Sequence, residues 1–547
     1  MASQGTQAAQ QHPHYRLGQQ PMHAYLLDNA AAIPERTAHV FYGREVSWAE
    51  LGDGVRRLAH FLRQEGVEKG SRVALYLQNC PQYIMAHYAV QMLGAIVTPI
   101  NPQYKPAEIE YQLTAAEACA IITDRDLYRN VVAVRDNLPL LETAITTDYA
   151  DFLPGQPTLP VPKELHLNTG PAEEAFDMMA ILKEAPPLEA AEPVDLWEDV
   201  GLMTFTSGTT GRPKGAMLSF GSALFKIAAA CEARDVPMDG VTLATAPFCH
   251  IAGMNLGVYM SVYTRANLVI LSRFDPETVI QAFEKYGCNM WYSVAPMNRA
   301  LLDYPGIETR DLSSLEENPA TSFGLPVTEE LSDEWRKLTG CRMVEAAYGL
   351  SETHTSDTYM PKDRIRWGSC GVPIPGNDIR IVDLESGEEL PAGESGEIVL
   401  RNPAVFKGYW KRPEATAETL RDGWVHTGDV GYFDPDGFLF FTGRVKEMIK
   451  CSGYSVFPED VEVLMLDHPG IAQCAAIGVS DPKRGESVKL FAVLNPDYRD
   501  SLTEEALIDW AREHMAAYKY PREIAFISEL PATGSGKVLR RLLKDDA

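Results

Sequence analysis

Short apolar runs and longer segments of helical period alternate between Arg72 and Asp124. The runs "RVALYLQ", "GAIVTPIN" and "CAIITD" are of strand length, whereas "YIMAHYAVQML" and "PAEIEYQLTAAEA" between them carry helical patterns. This alternation predicts βαβ units around a largely parallel sheet. A later step carries its own punctuation. In "FDPETVIQAFEKYG", Asp275 is placed to cap a helix, Pro276 to take its first position and Gly287 to stop it before the apolar "CNMWYSVAP".

The pattern then changes twice. Residues 153–197 become rich in proline and acid, as in "KEAPPLEAAEPVD", which predicts a surface connector without function. Beyond "GRVKEMIK" the chain reads as a separate unit with strands "AQCAAIGVS" and "VKLFAVLNP". A helix follows, opened by Ser501 and Glu504 as a capping box, with Leu507, Trp510, Ala511 and Met515 on one face, and then the strand "EIAFIS". The expected fold class is α/β: a disordered tail over residues 1–20, a large multi-sheet N-terminal domain over 21–443 and a small α+β C-terminal domain over 444–547.

Size and charge narrow the function. A chain of 547 residues exceeds what one hydrophobic core supports. With 49 basic against 75 acidic residues, its net charge of −26 argues against a nucleic-acid or anionic-membrane partner, so any bound phosphate must be held by local groups. Nine scattered cysteines without a C-x-x-C pair predict reduced thiols, no cysteine-bound metal and a cytoplasmic setting. The N-terminal "MASQGTQAAQQHPHYRLGQQ" lacks an apolar signal segment, and no stretch reaches the ~18 apolar residues of a membrane span.

The candidate chemistry lies in "TFTSGTTGRPKGAML", which begins at Thr204. Glycine amides, Ser and Thr hydroxyls and Lys214 can together surround phosphate oxygens. It is no Walker A loop: Lys214 is followed by glycine, and the later "GSGKV" has no hydroxyl after Lys537. Four further segments follow in order: "YGLSET" from Tyr348, "DGWVHTGD" ending at Asp429, "GRVKEMIKCSGYSVFPEDVE" from Gly443 and "PATGSGKVLRR" from Pro531. With them the chain resembles the adenylate-forming (AMP-binding) superfamily, in its acyl-CoA synthetase or fatty-acid–CoA ligase branch, from about His23 onward.

The resemblance implies a two-step ligase whose partners are a small-molecule carboxylic acid, ATP with Mg2+, and coenzyme A as co-substrate. Thr206, Ser207, Gly208, Thr209, Thr210, Gly211 and Lys214 would hold phosphates, Glu352 the magnesium and Ser351 the α-phosphate. Tyr348 would lie against adenine, with Gly324, Leu325, Pro326 and Ala347 beside it, while Asp429 accepts the ribose hydroxyls and Arg444 reaches ribose or phosphate. Lys537 would neutralise the adenylation transition state. Lys446 would be the hinge of a mobile C-terminal domain, whose second pose brings Lys450, Ser452 and Gly453 to coenzyme A.

An apolar set, His250, Gly253, Met254, Val294, Met297, Phe323 and Gly349, would wall the acyl group. "SFGLP" departs from the superfamily's glycine-rich segment by placing Phe323 and Leu325 in it, and Ala347 stands where glycine is frequent. Either substitution narrows the pocket or packs behind it. Apolar walls discriminate only ~1–3 kcal/mol per methylene, so they select a class of acid. Medium- to long-chain fatty acids lead, with aryl or alicyclic acids second. The rival readings are transfer of acyl-AMP to a carrier protein and an inactive nucleotide-binding scaffold; homodimerisation stays open.

Overall fold

A computed structural model describes residues 13–166, 170, 172–206, 213–323, 325–451, 454–481, 484–532 and 538–545. The apolar runs form a seven-stranded sheet in the order Phe176–Asp177, Thr143–Thr147, Ala120–Asp124, Arg72–Tyr76, Ile96–Pro99, Val200–Thr206 and Lys214–Ser219. All neighbours are parallel except the last two strands, which form an antiparallel pair. A five-stranded sheet pairs Met290–Trp291, Val241–Ala244, Asn267–Ile270, Thr37–Phe41 and Arg44–Ser47.

The helix Pro81–Met92 bridges these two sheets and is buried on every face, which explains why its sequence shows no polar stripe. Gln82 donates to the Asp148 carbonyl on one side (2.9 Å), and Tyr83 donates to the Phe248 carbonyl on the other (3.0 Å). The helix Pro276–Tyr286 forms between the punctuation marks read in the sequence. Asp275 accepts the Thr278 amide at 2.9 Å, and Gly287 closes the helix at φ 59°.

Three short parallel strands, Ser293–Val294, Asn318–Thr321 and Met343–Glu345, end side by side. Their carboxyl ends lead into the segments that carry Met297, Phe323 and Tyr348, the customary place for a ligand in such sheets. An antiparallel sheet follows, in which Trp424–Phe433 pairs with Gly396–Arg401, Leu420–Arg421 and Leu439–Arg444. Beyond it a second hydrophobic core gathers Ile449, Val461, Met465, Leu490, Leu507 and Ala511. There Ile471–Asp481, Gly485–Leu494 and Glu523–Phe526 form one sheet with the hairpin Ile449–Cys451 and Tyr454–Val456.

Three local readings change. The connector contributes the edge strand Phe176–Asp177 and the helix Met178–Glu184, because Asp177 caps that helix through the amides of Met179 and Ala180. The C-terminal helix Glu504–His514 is capped by Thr503, whose hydroxyl accepts the Ala506 amide at 3.2 Å; Ser501 instead bonds the Tyr498 carbonyl. Residues 13–20, read as part of a disordered tail, are held to the body through Arg16–Asp28 (3.1 Å) and the Tyr25 hydroxyl on the Gly18 carbonyl. All nine cysteines are free, and no helix among the described residues is long and apolar enough to cross a membrane.

Asp275→Ala removes the acceptor for the Thr278 amide. The expected cost is about 1 kcal/mol, read as a lowered urea midpoint, with Asp275→Asn near the parent.

Candidate active site

Thr206 and Lys214 face each other across the antiparallel strand pair, so the two ends of the glycine-rich stretch stand side by side at the sheet edge. Ser207, Gly208, Thr209, Thr210 and Gly211 lie outside the described residues. The outer edge of the strand Lys214–Ser219 takes up residues 407–410. The Lys407 amide donates to Met217 (2.8 Å), Met217 to Gly408 (3.0 Å) and Trp410 to Gly215 (2.8 Å). This addition delivers a residue the sequence reading missed, the buried Tyr409. Its ring lies 4.4 Å from Lys214 Nζ, and its hydroxyl donates to Glu352 Oε1 at 2.5 Å. Burial and the charge of Glu352 push the phenol's pKa up, so it stays a donor. The adjacent aromatics of "KGYWKRPEAT" give no sign of this; strand pairing places Tyr409.

After the strand Met343–Glu345 the chain passes through Ala347 and Tyr348 into a turn, Ser351–Thr353, that presents half-buried Ser351 and Glu352. Three residues in succession then adopt left-handed backbone: His354 (φ 61°), Thr355 (54°) and Ser356 (53°). Each costs on the order of 1–3 kcal/mol unless its surroundings hold it, and such strain gathers at functional sites. Gly349 is required beneath this turn, since a Cβ there would lie 2.6 Å from the Ser356 amide nitrogen.

Asp429 sits directly opposite Arg444 across the strands Trp424–Phe433 and Leu439–Arg444. The Tyr348 hydroxyl donates to Asp429 Oδ2 at 2.8 Å, and Arg444 Nε lies 3.0 Å from Oδ1. Burial, reinforced by Asp429, holds the Tyr348 phenol well above its usual pKa. For Arg444 burial opposes the charge, but Asp429 and Glu447 outweigh it and raise the pKa. The result is a nearly enclosed carboxylate, 2% exposed, with an aromatic ring and a fixed cation on either side. Phe441 stacks on Tyr348 with centroids 6.4 Å apart.

Residues 26–410 match the AMP-binding enzyme family, and residues 460–537 match the AMP-binding enzyme C-terminal domain. The chain belongs to the AMP-binding enzymes. The long-chain-fatty-acid–CoA ligase of Bacillus subtilis (strain 168) is 34% identical, over 96% of this chain and 94% of that protein. The feruloyl-CoA synthase of an Amycolatopsis species is also 34% identical, covering 93% and 96%. The crystal structure of ATP-bound MatB from Rhodopseudomonas palustris superposes with a TM-score of 0.84 at 26% identity, covering 96% and 98%.

An AMP-binding enzyme of this kind uses ATP with Mg2+. Among the described residues no group of three His, Cys, Asp or Glu could hold a metal alone. Glu352 nevertheless fits magnesium, which is held by one or two carboxylates together with substrate phosphates.

The expected acyl wall is only partly assembled. Gly253 borders a cavity with Thr245, Gly257, Met290 and Tyr292, but its volume of about 10 Å³ is that of a single water. Gly253 is needed there because a Cβ would lie 2.2 Å from the Pro247 carbonyl oxygen. Met254 opens a π-helical turn, Met254–Tyr259, and is fully buried in the main core. His250 is exposed and caps its own helix, its Nδ1 taking the Ala252 amide at 3.4 Å. Val294, Met297 and Phe323 are half-buried, with Met297 Sδ 3.9 Å from the Thr245 hydroxyl. Leu325, Pro326 and Ala347 are likewise half-buried, and Gly324 lies outside the described residues.

Lys446 is exposed in the turn Val445–Glu447, and Lys450 is exposed with its amide on Glu486 (2.7 Å). Ser452, Gly453 and Lys537 lie outside the described residues. Arg540, which a basic tail would leave in solvent, is instead largely buried against Glu447 (2.5 Å), Glu459 (2.9 Å) and Glu462 (2.8 Å).

Tyr409→Phe deletes the hydrogen bond to Glu352 and keeps the ring over Lys214. A bond to a charged group contributes about 1.5–3 kcal/mol, so kcat/KM for Mg·ATP is expected to fall about 10- to 100-fold, with KM for the acid unchanged.

Proposed function

We propose that this chain is an AMP-forming acid–thiol ligase that joins a carboxylic acid, foremost a medium- or long-chain fatty acid, to coenzyme A. What carries the reading is the convergence of Lys214, Glu352 and the Tyr348–Asp429–Arg444 cluster in a chain alike, nearly end to end, to the Bacillus subtilis ligase. A carboxylate oxygen of the acid attacks the α-phosphorus of ATP. The bond to the bridging oxygen breaks, and pyrophosphate leaves. The thiol of coenzyme A then attacks the acyl carbon, AMP departs, and the thiol proton passes to solvent.

The first step presses one anion against another, so fixed cations and donors must offset the repulsion. Lys214 and the glycine-rich stretch hold the β- and γ-phosphates, and Ser351 bonds the α-phosphate. Tyr348 packs against adenine, and Asp429 accepts the ribose hydroxyls while Arg444 pairs with that carboxylate. Magnesium at Glu352 supplies further charge neutralisation at the phosphates. Lys537 reaches into the cleft from the C-terminal domain for adenylation. Rotation at Lys446 then exchanges it for Lys450, Ser452 and Gly453 beside the pantetheine arm. The free cysteines support a cytoplasmic location.

An aryl acid is the second reading. It is favoured by the likeness to a feruloyl-CoA synthase.

Pyrophosphate release measured across fatty, aryl and alicyclic acids, with and without coenzyme A, tests both readings. Turnover that needs the thiol and peaks with a fatty acid is expected; release without thioester, or silence with every acid, would overturn the proposal. Lys537→Ala is expected to abolish acyl-AMP formation while sparing thioester synthesis from supplied acyl-AMP, so equal losses would remove its role.

A further inference from the structure

The helix Phe220–Arg234 leaves the strand Lys214–Ser219 directly, capped by Ser219, whose hydroxyl takes the Ser222 amide at 3.2 Å. It carries two buried cations, Lys226 and Arg234, and both are turned away from solvent. Lys226 Nζ bonds Asp357 Oδ1, with both side chains 0% exposed. Arg234 donates to the carbonyl of Ala346. The two cations therefore grip opposite ends of residues 346–357, the segment whose middle carries Tyr348, Ser351 and Glu352.

Asp357 extends the grip. Its carboxylate accepts from four side chains: Lys226, Thr353, Asn402 (3.1 Å) and Asn377 (3.3 Å). Thr353 neighbours Glu352. Asn402 accepts the Ala404 amide at 2.8 Å, at the start of the segment that delivers Tyr409. The Asp357 amide donates to the Tyr348 carbonyl at 2.8 Å. Between these anchors lie the three left-handed residues 354–356, which need external restraint to persist.

A buried ion pair is a poor device for stability alone, because its desolvation offsets its attraction and an apolar pair often does as well. An apolar pair, however, could not tie three segments to one point. We propose that Asp357, held by Lys226, is a positioning residue that fixes Glu352 and Tyr348 relative to Lys214 through the helix Phe220–Arg234. The inference rests on the nucleotide-activating reading of the site above.

The test exchanges the pair for apolar side chains, Lys226→Met with Asp357→Leu, and separately removes one donor with Thr353→Val. Calorimetry measures ADP affinity with and without Mg2+, and the two half-reactions are assayed apart. Misplacement by about 1 Å can cost 100-fold, so the double variant is expected to lose about 100-fold in acyl-AMP formation and most of the magnesium-dependent gain in ADP affinity. Its melting temperature stays near the parent, its thioester synthesis from supplied acyl-AMP, which uses Tyr348 but not Glu352, falls less than 10-fold, and Thr353→Val falls between. Parental adenylation and magnesium response in either variant, or equal losses in both half-reactions, would overturn the proposal. If the double variant does not fold, Thr353→Val decides by the same readouts. A parent chain that forms no acyl-AMP from any acid would instead defeat the proposed function, and the Mg·ADP arm would still judge the positioning role.

Discussion

An anion has to be brought onto another anion inside a protein whose own net charge is −26. Long-range repulsion therefore works against nucleotide binding, and the opposing positive potential must come from a few groups fixed at short range. Each such group costs desolvation and ordering, so the architecture around the site is largely a means of holding cations and donors where solvent cannot relax them. Lys214 on its sheet edge, Arg444 across from Asp429 and the two buried cations of the helix Phe220–Arg234 are four solutions to that problem.

These solutions differ in what they face. Lys214 and Arg444 face residues of the candidate site, one an aromatic ring and the other a carboxylate. Lys226 and Arg234 face only protein, and their charge is spent on the backbone and side chains of the segment that presents Tyr348 and Glu352. That segment needs restraint, because three successive residues hold left-handed backbone without being glycine. Elsewhere, beside Gly253, the π-helical turn Met254–Tyr259 and a water-sized cavity lie together. A π-turn inserted in a helix commonly marks a functional place and allows local adjustment.

Tyr409 shows how a site residue stays hidden. In the sequence it is one of two adjacent aromatics in "KGYWKR", with no period and no motif of its own. It reaches Glu352 and Lys214 because residues 407–410 add to a strand edge almost two hundred positions earlier. Asp357 was equally silent, an acidic residue in "THTSD" that composition would assign to the surface. Arg540 stands beside Arg541 with nothing local to mark it, yet three carboxylates converge on it.

The sequence alone determined what depends on neighbouring residues: the alternation of strand and helix, the capped helix after Asp275, the reduced cysteines and the ordered motifs that mark an AMP-binding enzyme. Those signals are local, since period, caps and glycine placement act within a few residues. Tertiary structure alone decided which distant groups meet, because long-range pairing leaves no local trace. It placed Asp429 against Arg444 and Tyr348, set Tyr409 between Lys214 and Glu352, and buried Lys226 on Asp357. It also drew residues 13–20 onto the body and turned part of the proline-rich connector into an edge strand. For Asp429, Tyr409 and Lys226 the deciding quantity is burial, which a polar side chain tolerates when the fold supplies its partner.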